Sequence, residues 1–355
     1  MEASNPDKVI FPKPGFTKAD LVTYYDAVAE HMLPMLLERP LTLHRFPNGV
    51  GAKGFMQKNV ARHFPESIGR FEVAKQEGGT TVYPVVTEAE HIPWLANQGT
   101  ITFHIWTSRI PDRPPDWMVL DLDPSTGRGG ADVHEVALLV RDVLAEFDLS
   151  SHPVVTGSKG FHLWMRLTAD HDHHQVAVAN RALAGLVAVR HPQIATTEFL
   201  KKDRRDRVFV DWLRANRGAT VVAPFSLRAT ATASVAVPVD WDDVPDVEPD
   251  RWTLRDVDDI VVRRNLPDRA EPTPTRRRHR GRRSGGGRRP RHPVRPVRPQ
   301  TLAPSPFSTL GWLGGLVRRR RSGRVGLEPR TRRRGRRPTR RPRSRSDRRD
   351  RRATC

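Results

Sequence analysis

Trp117-Met118-Val119-Leu120-Asp121-Leu122-Asp123-Pro124 is the stretch whose reading decides the fold. A short apolar run closed by Asp-Pro reads as a buried strand that ends in a turn. Side chains two apart on a strand share a face, so Asp121 and Asp123 stand side by side, their Cα atoms ~6.6 Å apart. Two like charges on a buried face repel, and such a pair needs counter-charge to be tolerated. A strand-ending turn with solvated acids is the plainer alternative for Asp-x-Asp taken alone.

Outward from this strand the periodicity alternates. Upstream, residues 20–37 carry apolar positions at Leu21, Tyr24, Tyr25, Val28, Met32 and Met35, the spacing of an amphipathic helix, with Thr17 as its N-cap. Residues 41–46, 81–86 and 99–106 read as short strands bounded by Pro, Gly or Asn. Downstream, residues 133–147 and 176–189 read as helices, and residues 152–156 and 161–166 as strands flanking a glycine turn. Residues 208–213 and 220–225 read as a pair of strands, followed by a short helix near residues 254–264. Alternating elements of this kind predict a mixed α/β fold.

A third acid lies in Val208-Phe209-Val210-Asp211-Trp212-Leu213, alone inside an apolar strand. A charge there needs a metal or a partner, and Arg204, Arg205, Arg207 and Arg214 offer the second. Between the acidic strands sits Thr156-Gly157-Ser158-Lys159-Gly160-Phe161-His162. Two glycines let backbone amides approach a ligand, and Lys159, the Thr156 hydroxyl and His162 add donors suited to phosphate. The loop lacks the spacing of a Walker motif, and a glycine hairpin is its ordinary reading. Taken together, three acids and this loop read as a pair of divalent ions beside a triphosphate cradle. The cluster His171, Asp172, His173, His174 reads as an exposed loop rather than a metal site, because adjacent residues rarely converge on one ion.

Composition divides the chain. The net charge of +21 over 355 residues suggests nucleic acid, but the excess is confined to residues 276–355. That segment holds 30 Arg, no Lys and three acids, leaving residues 1–275 at −6. The expected organisation is a catalytic domain over residues 1–275 and a disordered Arg/Pro/Gly-rich tail over 276–355. Thirty arginines without one lysine favour a frame-shifted readout of GC-rich coding sequence over a DNA-binding arm. The one cysteine, Cys355, excludes an intrachain disulfide or a cysteine zinc site. No signal peptide or membrane span is expected, which suggests a cytoplasmic, nucleoid-associated protein with no membrane partner.

The order Asp-Leu-Asp-Pro, Thr-Gly-Ser-Lys-Gly-Phe-His, Val-Phe-Val-Asp and Ala-Pro-Phe-Ser-Leu-Arg resembles the polymerase module of bacterial DNA ligase D, of the archaeo-eukaryotic primase superfamily. The resemblance runs from about Asn5 to about Leu266. It implies a two-lobed primase-polymerase core around a twisted mixed sheet, and a metal-dependent nucleotidyltransferase acting in non-homologous end joining or gap filling. By that resemblance Asp121, Asp123 and Asp211 hold two Mn2+ or Mg2+ ions. Thr156, Lys159 and His162, with His104, Arg204, Arg228 and Asn5, contact the NTP or dNTP. Lys8 and Lys18 hold the 5′-phosphate of a DNA break, and Phe55 stacks on the template. Ku and a separate DNA ligase are the expected protein partners. Two positions depart from the pattern: His44 stands where a Lys is carried, and Met56 where a second Phe is common.

No Lys-x-Asp-Gly ligase nucleophile occurs, so a stand-alone polymerase is expected. Two other readings use the same residues: a de novo RNA primase, favoured by synthesis without a primer, and a non-catalytic DNA-end binding module. Intact acids at all three positions weigh against the second.

Overall fold

The computed structural model describes residues 1–75, 78–109, 113–125, 132–168, 170–263 and 265–267. The expected tail, residues 276–355, lies outside them. Strands β1 (Val9–Phe11) and β2 (Phe16–Thr17) form an antiparallel ribbon that runs straight into helix α1 (Lys18–Leu36). Thr17 caps α1 reciprocally: its side chain accepts from the Asp20 amide, and the Asp20 carboxylate accepts from the Thr17 amide at 2.7 Å. Two backbone donors at the helix start are thereby satisfied. The helix buries the stripe its periodicity predicts, from Leu21 to Met35.

After α1 come β3 (Leu41–Arg45), β4 (Phe55–Gln57), the hairpin β5 (Gly69–Ala74) and β6 (Thr80–Val85), α2 (His91–Asn97) and β7 (Thr100–Ile105). The second half holds β8 (Trp117–Asp123), α3 (Val133–Ala145), β9 (His152–Val155), β10 (Phe161–Arg166) and α4 (His173–Arg190). It ends with β11 (Ala195–Thr196), β12 (Val208–Asp211), β13 (Val221–Val222), β14 (Val237–Pro238) and α5 (Val257–Val261). The fold is mixed α/β. Its strands form two principal sheets, a six-stranded one ordered β11-β12-β8-β10-β9-β14 and a four-stranded one ordered β13-β7-β3-β4. The first is mixed, since β11 runs parallel to β12 and its other pairs are antiparallel.

One expected pairing fails. Residues 208–213 and 220–225 do not pair with each other: β12 joins β8 and β11, whereas β13 crosses to the other sheet and joins β7. The 3-10 turn Leu213–Ala215 sits between them, so the two strands leave in different directions instead of folding back as a hairpin. The cluster at residues 171–174 is loop only in its first half, His171 and Asp172. Asp172 caps α4, accepting from the Gln175 amide at 2.8 Å, and His173 and His174 open the helix.

Helices α3 and α4 pack on β8, with α3 also on β10 and α4 on β12. Behind the sheet, the buried Asn180 of α4 donates 2.9 Å bonds from one nitrogen to the carbonyls of Val119 and Trp212. It thus ties β8 to the residue that follows β12. A second buried tie joins the halves of the chain. Arg39, fully buried, donates to both carboxylate oxygens of Asp116 at 2.8 and 2.7 Å, and Arg166 at the end of β10 donates to the same group at 2.6 Å.

Candidate active site

Register decides which side chains meet. Asp211 of β12 lies opposite Asp121 of β8, and on the other side of β8 Asp121 lies opposite His162 of β10. Residues directly opposite in an antiparallel ladder share a face. Asp211, Asp121 and His162 therefore form a row across three adjacent strands, with Asp123 two residues further along β8. The three acids lie on one face of the sheet.

The loop between β9 and β10 closes over this row. Thr156 is buried, and its hydroxyl accepts from the amides of Ser158 at 3.2 Å and Gly160 at 3.3 Å. Gly157 has a φ of +64°, and a Cβ there would stand 2.7 Å from the Val235 carbonyl carbon. At Gly160 a Cβ would fall 1.8 Å from the carbonyl oxygen of Leu122, between the two acids of β8. Only glycine lets the loop lie this close to the acidic strand. Lys159 is exposed at its rim.

The acids, this loop and Arg204, Arg214 and Arg228 bound a cleft of about 310 Å³. Burial raises the Asp121 carboxyl above the usual range, with Asp123 adding to the effect and Arg214 and Arg228 opposing it. Burial also raises Asp211, against the pull of Arg214 and of the Leu213 amide, which donates to it at 2.8 Å. Arg214 bridges the opposed acids, Nε 3.3 Å from Asp121 and Nη2 3.0 Å from Asp211. Arg204 holds Asp123 at 2.8 Å and stacks on Phe209, its guanidinium carbon 4.2 Å from the ring centre. Arg228 donates to the Thr156 carbonyl at 3.2 Å and so faces the loop.

The nearby histidines are neutral at physiological pH. Burial, then Arg228 and Arg214, push His162 well below its ordinary value, and its Nε2 stands 3.6 Å from Asp121. His104 on β7 is pushed down to about 3 by burial, then by Arg228 and His44. The His44 ring centre is 6.4 Å from that of His104. A neutral imidazole offers one donor and one acceptor, which suits a hydrogen bond to a phosphate or sugar oxygen.

The remaining expected residues gather elsewhere. Lys8 Nζ donates to Asn48 at 3.2 Å, and the largely buried Lys18 donates to the Ser4 hydroxyl at 2.7 Å. Burial, then Lys8 and Arg45, lower the Lys18 ammonium. The Arg45 guanidinium lies 5.6 Å over the ring of Phe55, which is 48% exposed. Three cations and an open aromatic ring thus form a second surface. Asn5 has a φ of 52° in the N-terminal turn, where its carbonyl accepts from the Lys8 amide, and it does not line the cleft. Sequence reading offered Arg214 among several partners for Asp211 but not for Asp121, and it left Arg45 unassigned. Arg214 had a signal, its i,i+3 spacing from Asp211, but Arg45 had none beyond its place in a strand.

The donor set fits a hard divalent cation: three carboxylates on one face, two of them raised by burial, with arginines as their ion-pair partners. A tighter His/carboxylate group, with ligand atoms within 4.8 Å of one another, occurs among the described residues at Glu88, Glu90 and His91. It does not line the cleft, and both glutamates are exposed.

A row of acids on a mixed sheet, faced by a glycine loop and three arginines, is an arrangement suited to nucleotidyl transfer. The family described as "LigD, primase-polymerase domain" matches residues 17–267, and the chain belongs to that family. It is 35% identical over 248 residues to the multifunctional non-homologous end joining protein LigD of Mycolicibacterium smegmatis, covering 69% of this chain and 32% of that protein. It is 36% identical over 252 residues to the multifunctional non-homologous end joining DNA repair protein LigD of Mycobacterium tuberculosis, covering 68% and 33%. The chain thus spans about a third of the length of these relatives. Among solved structures, the polymerase domain of Mycobacterium tuberculosis ligase D in complex with DNA superposes with a TM-score of 0.69 at 34% identity, covering 75% of this chain and 96% of that one. No helix among the described residues is long and apolar enough to cross a membrane.

Proposed function

We propose that this chain is a DNA-end repair polymerase that transfers nucleotides from NTPs or dNTPs to a primer 3′-hydroxyl in non-homologous end joining or gap filling. The observation that carries the reading is the register of Asp211 against Asp121, with Asp123 on the same face and the Thr156–His162 loop pressed on that strand. Asp121, Asp123 and Asp211 would hold two divalent ions, Mn2+ or Mg2+. When bound, such ions lower the pKa of an attacking hydroxyl and neutralise the leaving pyrophosphate.

The chain's own groups supply the rest. Lys159, exposed at the rim of the loop, receives the triphosphate, and Arg228, anchored on the loop, adds a fixed positive charge. His162 and His104, held neutral, donate to oxygen without competing for the cation site. Arg204 orients Asp123. On the second surface Lys8, Lys18 and Arg45 suit the 5′-phosphate of a break, and Phe55 suits stacking on a template base. Ku and a separate ligase are the protein partners this role would call for.

Extension of a primer on gapped DNA, with and without a 5′-phosphate and with NTPs or dNTPs, tests the reading. Mn2+-dependent addition by the wild type and none by Asp121→Ala/Asp123→Ala is the expected result. A wild type that adds no nucleotide under any of these conditions would overturn it.

A further inference from the structure

The two arginines that form ion pairs with the acids are held very differently. Arg204 is 6% exposed, and every nitrogen of its guanidinium is engaged: Nε with the Glu198 carbonyl at 3.2 Å, Nη2 with the Phe199 carbonyl at 3.1 Å and Nη1 with Asp123. Its face is stacked on Phe209. The three nitrogens of Arg214 are engaged too, but it is 36% exposed: Nε and Nη2 meet the two carboxylates themselves, and its one backbone anchor is a long 3.4 Å bond from Nη1 to the Thr220 carbonyl. The first is locked, whereas the second leans on the acids from an open side of the cleft.

Position adds to this contrast. Arg214 is the group that touches both Asp121 and Asp211, the two carboxylates the register brings opposite each other. It follows β12 on a 3-10 turn and lines the same cleft as Lys159 and Arg228. A carboxylate pair on a shared face is stabilised by a cation between its members, and a monovalent guanidinium on a long side chain is more weakly held there than a divalent ion.

We propose that Arg214 is a resident counter-cation: it holds Asp121 and Asp211 together in the metal-free protein, yields them to a divalent ion, and then turns to the incoming triphosphate. The inference rests on the metal-site reading above and extends it. The exchange adds two positive charges to the cleft, which the arriving triphosphate then offsets. One positive group leaves the acids as a dication arrives, and the freed guanidinium stays at the cleft wall, where the triphosphate brings its negative charge.

Mn2+ binding to the full chain, followed by the electron paramagnetic resonance of free Mn2+ without nucleotide, tests the first half. Arg214→Gln should bind Mn2+ about tenfold tighter than wild type, because the competing charge is gone, with Arg214→Lys in between. Binding of a non-hydrolysable NTP analogue at saturating Mn2+ tests the second half, and Arg214→Gln should bind it about fivefold more weakly. A merely structural arginine cannot move the two affinities in opposite directions. Unchanged or weaker Mn2+ binding by Arg214→Gln, or unchanged analogue binding, overturns the proposal. If Arg214→Gln does not fold, Arg214→Lys carries the same comparison. Asp121→Asn serves as control: wild-type Mn2+ binding that this change leaves intact would bring down the metal-site reading itself, and the proposal with it.

Discussion

Asp211 stands directly across the antiparallel ladder from Asp121, and a single arginine, Arg214, touches both. On the proposed function, the face of the sheet, and not either strand, is the unit that acts. Removing either carboxylate should abolish nucleotide addition, each of Asp121→Asn and Asp211→Asn losing at least about a thousandfold in single-turnover extension. Activity within tenfold of wild type in either variant would contradict a shared cation site.

Gly160 should not tolerate even a methyl group. A Cβ 1.8 Å from the Leu122 oxygen must push the loop off β8 or bend the strand that carries the acids. Gly160→Ala is expected to lose at least about a hundredfold in extension, as a displacement of about 1 Å at a reacting centre does. Thermal unfolding would show the accompanying loss of stability.

Asn180 reaches Val119 and Trp212 from behind the sheet, just before one acid and just after another. Asn180→Leu leaves the buried Val119 carbonyl and the part-buried Trp212 carbonyl without this donor and should cost about 1–3 kcal/mol of stability. Denaturant titration measures that cost. Extension by the folded variant should also fall, because the tie between the acidic strands is lost.

Acid lability is expected from Asp116. Burial alone would raise its carboxyl, but Arg39 and Arg166 outweigh burial and hold it below the usual range. The folded value is lower than the unfolded one, near ~3.9. The stabilisation is therefore complete above that unfolded value and is lost as pH falls through the folded one. Asp116→Asn should cost about 3–5 kcal/mol at neutral pH, because it strips the buried Arg39 of its counter-charge. The difference between variant and wild type should narrow in acid, and a constant difference from pH 7 to pH 2 would refute this account.

Lys8 and Lys18 should govern recognition of a phosphorylated end. Replacing both by Ala is expected to weaken binding to 5′-phosphorylated gapped DNA more than to the unphosphorylated gap. If each lysine meets a phosphate, the slope of log affinity against log salt should fall by about 2. Fluorescence anisotropy at several salt concentrations measures both effects.

Local pattern determined a good part of this protein. The side-chain period of a strand put Asp121 beside Asp123, the Thr17/Asp20 spacing marked the start of α1, and apolar stripes located α3 and most of α4. These features depend on residues within one or two turns of each other, so the backbone geometry of a single element fixes them. The mixed α/β class follows from the same alternation.

Tertiary structure alone decided the pairings. Nothing local says that β12 joins β8 while β13, a few residues later, crosses to β7, because strand order is set by which long-range pairing buries the most apolar surface. Arg214 on both acids, Asn180 behind them and Arg39 on Asp116 are contacts between distant segments. They exist because a buried charge or carbonyl is costly unless another segment supplies it with a partner.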